Sequence, residues 1–168
     1  MVATVVRQSI YEGDITVPSA AQKYVLGETF TNASGQTFKY VKSHAALTAF
    51  QPYCEAFSAV AGAQVKTAAP ATLAAPGELL IVPQVAVTSG YYFWGLIAGP
   101  GKVLMIAETY AVGDHLQVLN AGTALVVDGS TGSTAKLVNS TAICTEAGTT
   151  AVARGVYLFG EKAVTAAT

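Results

Sequence analysis

YYFWGLIAGPGKVLMIAETYAVGDHLQVLNAGTALVVD, residues 91–128, is the most regularly patterned stretch of this 168-residue chain, because apolar runs alternate in it with glycine-centred turns. Residues 91–98 carry the aromatic and β-branched side chains that suit a pleated surface. Gly99-Pro100-Gly101 must reverse or bend the backbone, and residues 102–109 resume as an apolar strand, which reads as a hairpin-like unit. Ala111-Val112-Gly113-Asp114 makes a second turn, residues 115–119 form a short alternating strand, and Asn120-Ala121-Gly122 turns into residues 123–127. So dense a succession of strands leaves little room for helix.

Working outward toward the N-terminus, residues 79–82 and 85–87 flank Pro83, whose missing N–H favours an edge or bulged strand over a central one. Residues 67–76 (TAAPATLAAP) read as an extended connector. The alanine-rich run at 53–66 is ambiguous between strand and helix, and residues 44–50 start a short helix that Pro52 stops. Residues 37–42 alternate cleanly, with Phe38 and Tyr40 on one face and Lys39 and Lys42 off it or at its edge. Asn32-Ala33-Ser34-Gly35-Gln36 before them is a turn cluster, and residues 24–30 supply a partner strand, so a second hairpin spans 24–42. Residues 4–10 alternate as a strand or extended arm. Toward the C-terminus, a tip at 129–134 precedes short strands at 136–139 and 142–145, a turn at 146–149 and a final strand at 155–159. The expected fold is all-β: a compact antiparallel β-sandwich or barrel-like domain over residues 23–168, with an extended N-terminal arm over 1–22 and little helix.

Composition narrows the function classes. Only 11% of residues are charged and the formal net charge is −1, so the chain has no long-range field with which to attract nucleic acid or an anionic membrane. An apolar fraction of 52% with a mean hydropathy of +0.45 is high for a monomer, and surface hidden between subunits accounts for it: the expectation is a homo-oligomer. No window approaches a membrane-spanning length, and the first residues lack the basic start and apolar centre of a signal peptide, so synthesis and use without secretion are expected. Cys54 and Cys144 read as free core cysteines, a disulfide being the alternative in an oxidising compartment.

No constellation supports catalysis. His44 and His115 are the only histidines and stand without a cysteine pair or further ligand at metal spacing, so no metal or cofactor site is expected. Ser9, Ser43 and Ser58 lack a Gly-x-Ser-x-Gly context, and Gly99-Pro100-Gly101-Lys102 lacks the full phosphate-loop pattern. The carboxylates Glu12, Asp14, Glu55, Glu78, Glu108, Asp114 and Asp128 sit beside glycines or at strand ends, where they serve turns. The aromatic run is the more informative feature. On an alternating strand Tyr92 and Trp94 share one face and Tyr91 and Phe93 the other, so burial of one pair leaves the second for a contact with another protein surface.

Three stretches in order carry a family resemblance: Tyr24-Val25-Leu26-Gly27-Glu28 followed by Gly35-Gln36-Thr37-Phe38-Lys39-Tyr40-Val41-Lys42; Gly90-Tyr91-Tyr92-Phe93-Trp94-Gly95-Leu96-Ile97-Ala98-Gly99-Pro100; and Tyr110-Ala111-Val112-Gly113-Asp114-His115-Leu116. Their order and spacing resemble the head decoration, or cement, proteins of tailed bacteriophages, from about residue 24 to the end. That resemblance implies a virion structural protein, commonly a trimer, made in the host cytoplasm and seated on the outer surface of the capsid, where it clamps the major capsid protein against internal DNA pressure. The alternative is a virion-displayed module that binds carbohydrate or a host surface through exposed aromatics. For the cement role, Val2, Thr4, Val6, Ile10 and Tyr11 of the arm, with Tyr92 and Trp94, are the candidate capsid or subunit contacts.

Overall fold

The computed structural model describes residues 15–58, 62–66, 79–118, 124–127 and 141–160. Among these residues ten strands follow in chain order: β1 (Thr29–Thr31), β2 (Thr37–Ser43), β3 (Tyr53–Ser58), β4 (Gly62–Lys66), β5 (Leu80–Pro83), β6 (Tyr92–Leu104), β7 (His115–Val118), β8 (Leu125–Val127), β9 (Ala142–Cys144) and β10 (Ala153–Phe159). They form one hydrogen-bonded sheet in the order β1-β2-β4-β3-β5-β6-β10-β9-β7-β8, and no α-helix occurs among the described residues. The all-β expectation holds.

The sheet closes on itself in its first half. β2 pairs with β4 on one side and with β6 on the other, and β4, β3, β5 and β6 pair in succession, so five strands complete a ring. A closed ring removes the unpaired edges that an open sheet would expose. Among the ladders of the described strands, all are antiparallel except β2 with β4, where Lys42 lies opposite Gln64 and Ser43 opposite Val65. Parallel neighbours need a crossover, and β3 supplies it.

β6 joins the ring to the rest. Its first half pairs with β2 (Thr37↔Ala98 through Lys42↔Tyr92) and β5 (Val82↔Leu96), while its second half pairs with β10 from Ala98↔Phe159 to Leu104↔Ala153. The expected hairpin at Gly99-Pro100-Gly101 is therefore corrected: the strand runs straight through. Crowding explains the glycines. Gly99 adopts φ +90° with its α-carbon against the carbonyl oxygen of Gly35, and a Cβ on Gly101 would run into Leu96.

Other local expectations shift for identifiable reasons. β5 is a central strand between β3 and β6 with all four residues buried, not an edge. Pro83 is its last residue, so the missing N–H interrupts no ladder, and its carbonyl accepts a 2.7 Å bond from the Phe50 N–H. Residues 44–50 form no helix; Leu47 and Val87 exchange backbone hydrogen bonds of 2.8 and 3.0 Å, and Phe50 turns the chain at φ 64°. The ambiguous run at 53–66 contains β3 and β4. The early hairpin stands, although only Thr29–Thr31 of its first arm is strand; its turn is held by the Asn32 side-chain oxygen, which accepts from the N–H groups of Ser34 and Gln36, each at 3.0 Å. The connector at 67–76, the tip at 129–134 and the strand expected at 136–139 lie outside the described residues.

The core is continuous from the ring into the outer strands. Tyr40, Trp94 and Leu96 stack on one face of the β2–β6 pair, and Val41 and Phe93 lie opposite one another on the other. Leu158, Ala142 and Leu116 extend the buried layer across β10, β9 and β7.

Candidate contact surface

Two sets of aromatic side chains compete for the role of contact surface. The first surrounds Trp94. Tyr40 lies directly across from it with ring centroids 5.1 Å apart, Tyr24 approaches to 5.3 Å and Phe30 of β1 to 6.2 Å. Trp94 is 2% exposed, and its buried Nε1–H has no hydrogen-bond partner among the described residues. It is a core residue, which corrects its nomination as a contact. The nomination assumed that one face of the strand stays open, but Tyr24 and Phe30 cover that face. Tyr92 is half-buried: its ring stacks on Tyr40 at 6.1 Å with planes 14° apart, and the Lys42 ammonium stands 5.2 Å above it as a cation–π cap. Tyr91 is half-buried and Phe93 is buried, so the alternation does not divide the four aromatics into an inner and an outer pair.

The arm candidates Val2, Thr4, Val6, Ile10 and Tyr11 lie outside the described residues. The root of the arm is placed. Ile15 is buried in the core, and Ser19 exchanges backbone hydrogen bonds with Tyr92 at 2.9 and 2.8 Å, which clips residues 15–22 to the start of β6.

The second set lies on the outer strands and was not nominated. Tyr157 of β10 is opposite Pro100 of β6 and Ile143 of β9, and Ile143 is opposite His115 of β7. Cross-strand partners share a face, so these four residues form one transverse row over four strands. The alternate residues Val156, Leu158, Cys144 and Leu116 point into the core, which leaves the row on the open face. Tyr157 is 48% exposed, the one aromatic among the exposed large hydrophobics of the described residues, and the Phe159 ring stands 6.4 Å from it beside Ala98. A signal was present in the sequence: Val156-Tyr157-Leu158-Phe159 is apolar at every position, which a strand with a solvated face does not need.

Uncharged amides line a cleft of about 280 Å³ formed by Ile15, Thr16, Asn32, Gln36, Phe38 and Gln84. Asn32 Nδ2 donates to Gln36 Oε1 at 2.8 Å, Gln36 Nε2 to the Pro100 carbonyl at 2.8 Å, and Gln84 Nε2 to the Lys102 carbonyl at 3.1 Å, so the lining is fixed by its own hydrogen bonds.

At the other end, two loops are fastened by Tyr110 and Arg154. Tyr110 and Gly148 exchange backbone bonds of 2.7 and 3.0 Å, and the Tyr110 hydroxyl points to the carbonyl oxygens of Ile106 and Leu125, at 3.0 and 3.3 Å. Burial, helped by the charge of Glu108, pushes the Tyr110 phenol up to about 12. Burial also raises the pKa of Tyr40. Arg154 is 7% exposed and lies flat on Gly148, donating from Nη1 to the Ala147 carbonyl at 3.1 Å and from Nη2 to the carbonyl and hydroxyl of Thr150 at 3.3 and 3.0 Å. Its Nε–H has no partner among the described residues. Cys144 is a free, buried thiol directed at the Glu146 carbonyl, 3.2 Å away; the side chain of Cys54 lies outside the description. Among the described residues, no group of three or more His, Cys, Asp or Glu side chains is placed to hold a metal ion.

No protein-family model matches the chain, and no curated protein sequence matches it. Among solved structures, it is similar to the head fiber gp8.5 N base of bacteriophage phi29, with a TM-score of 0.48 and 14% identity over 77% of this chain and 99% of that one. Likeness at this level carries no argument about fold or function.

Proposed function

We propose that this chain is a structural protein of a phage head, a decoration protein that binds the outside of the assembled shell as a homo-oligomer, has no catalytic role, and stabilises the shell against the pressure of packed DNA. The observation that carries the reading is the junction of two of the stretches on which the family resemblance rests. Residues 37–42 and 92–98 are hydrogen-bonded neighbours, paired from Thr37↔Ala98 to Lys42↔Tyr92, so motifs far apart in sequence form one unit. The composition supports the same reading. A protein that acts by binding one assembled state stabilises that state by mass action, and many weak copies multiply the effect. Low charge and small side chains suit a dry contact, whereas a steered encounter would need a charged face.

In this reading, the N-terminal arm reaches the capsid from its root beside Tyr92. Shells lacking the protein, mixed with the purified chain and imaged by electron cryo-microscopy, are expected to acquire external density at repeated positions. Deletion of residues 2–10 is expected to abolish that density while the domain remains folded. Full occupancy by the truncated chain would remove the arm from the reading, and absence of density with the intact chain would remove decoration altogether. The amide-lined cleft favours a second reading, a carbohydrate-binding module displayed on the virion, because fixed neutral donors and acceptors suit hydroxyl groups. Saturable binding on a glycan array, lost in Gln36→Ala, would favour it.

A further inference from the structure

We propose that the open face of β10, β9 and the second half of β6 is where one copy of this chain meets another. The inference deepens the oligomeric form proposed above by naming its contact. The row Pro100, Tyr157, Ile143 and His115, with Phe159 and Ala98 beside it, lies on a sheet whose opposite face is already filled by core side chains. The strand ladder fixes these groups, so no ordering of a loop opposes contact. Tyr157 has the features of an anchor: large, rigid, half out in solvent, with Phe159 alongside and small Gly155 and Ala98 leaving space for an approaching surface.

Charge decides the occupant. No carboxylate, lysine or arginine lies in the row, and the charges beside it oppose one another: Lys102 is cross-strand from Gly155, the next pair along the same face, and the Gly155 N–H donates to the Glu146 carboxylate at 2.9 Å. Two copies of such a face bring no like-charge repulsion, and a net charge of −1 per chain adds almost none. A face built for a strongly charged partner would carry an excess of one charge, whereas here Lys102 and Glu146 balance one another and can face their opposites on a second copy. Two flat sheet faces pack at about 10 Å with their side chains interleaved, a geometry open to identical surfaces.

The test uses the full-length chain alone, without shells, followed by sedimentation velocity over a concentration series. Wild type is expected to self-associate. Tyr157→Lys and Ile143→Lys are each expected to weaken association by roughly tenfold or more, about 1.4 kcal/mol or above. Tyr157→Ser, which removes only the ring, covers the case in which a lysine prevents folding, and Trp94 fluorescence reports the fold in every sample. Val112→Lys, at a position that is 69% exposed and off the row, is expected to leave association unchanged. A monomeric wild type, association unaltered in folded Tyr157 and Ile143 variants, or equal weakening by Val112→Lys would each overturn the proposal. Loss of shell binding with self-association intact would assign the face to the capsid and also overturn it. Failure of decoration itself leaves the sedimentation result standing, so the two readings fail separately.

Discussion

The α-carbon of Gly99 rests against the carbonyl oxygen of Gly35, so closely that a Cβ on Gly99 would overlap it. The contact joins the second half of β6 to the turn between β1 and β2, and two independent penalties meet at one residue, a left-handed backbone and a backbone collision. Gly99→Ala is expected to destabilise the chain by about 2–4 kcal/mol in urea unfolding. Gly113→Ala, at φ +94° but with open space around it, is expected to cost only about 1–2 kcal/mol. Equal costs at the two sites would show that the collision with Gly35 is relieved at no cost.

Trp94 is the chain's one tryptophan, so its fluorescence reads its surroundings without interference. Emission is expected at the blue end of the tryptophan range and shielded from iodide in the free protein, because Tyr24, Tyr40 and Phe30 surround the ring. Trp94→Ala is expected to cost about 3–5 kcal/mol. Trp94→Phe should cost less than about 2 kcal/mol, because it also removes the Nε1–H that has no partner among the described residues. Free access of iodide would place the ring on the surface.

The raised phenol of Tyr110 makes a pH prediction. Its folded pKa, about 12, lies above the ordinary 10, so folding favours the neutral form. The stability it contributes is complete below pH 10 and is lost as the pH rises through the folded value, on the order of 2–3 kcal/mol across that window. Tyr110→Phe is expected to flatten this part of the alkaline unfolding curve. Unfolding curves that coincide for the two proteins between pH 10 and pH 12 would remove Tyr110 as the cause.

Arg154 holds the loop at residues 145–152 by carbonyl and hydroxyl contacts that a planar fork reaches and an ammonium does not. Arg154→Lys and Arg154→Ala are both expected to lose about 2–4 kcal/mol and to speed amide exchange at Gly148 and Tyr110, whose N–H groups close the loop pair. Full rescue by lysine would mean that charge alone matters there.

How far the sequence reveals this fold depends on which interactions are local. The alternation at Phe38 and Tyr40, the Asn32 turn and the apolar ending Val156-Tyr157-Leu158-Phe159 are written in adjacent residues, and all three are found. Gly99-Pro100-Gly101 reads locally as a turn, whereas the demand for glycine at position 99 comes from Gly35, a residue distant in the chain. Pro83 suggested an edge because proline marks a lost donor, yet its place at the end of β5 makes the loss harmless. The contact candidates were the least legible part. The period puts Tyr92 and Trp94 on one face without saying which face is covered, and what buries Trp94 is Tyr24 and Phe30, which no periodicity within β6 encodes. The converse holds for Tyr157, which is 48% exposed although the run Val156-Tyr157-Leu158-Phe159 is apolar at every position.

The shared strand β6 also orders events during synthesis. Every strand of the closed ring lies before residue 105, so the ring has all its partners while the last 64 residues are still to be made. Its closure joins β2 to β6 across some fifty residues, a slow, non-local step. The second half of β6 then waits as an unpaired edge until β10 emerges near the end of the chain. A nascent chain stalled in that interval carries a finished ring and an exposed template strand, the state most open to pairing with a neighbouring copy on the same message.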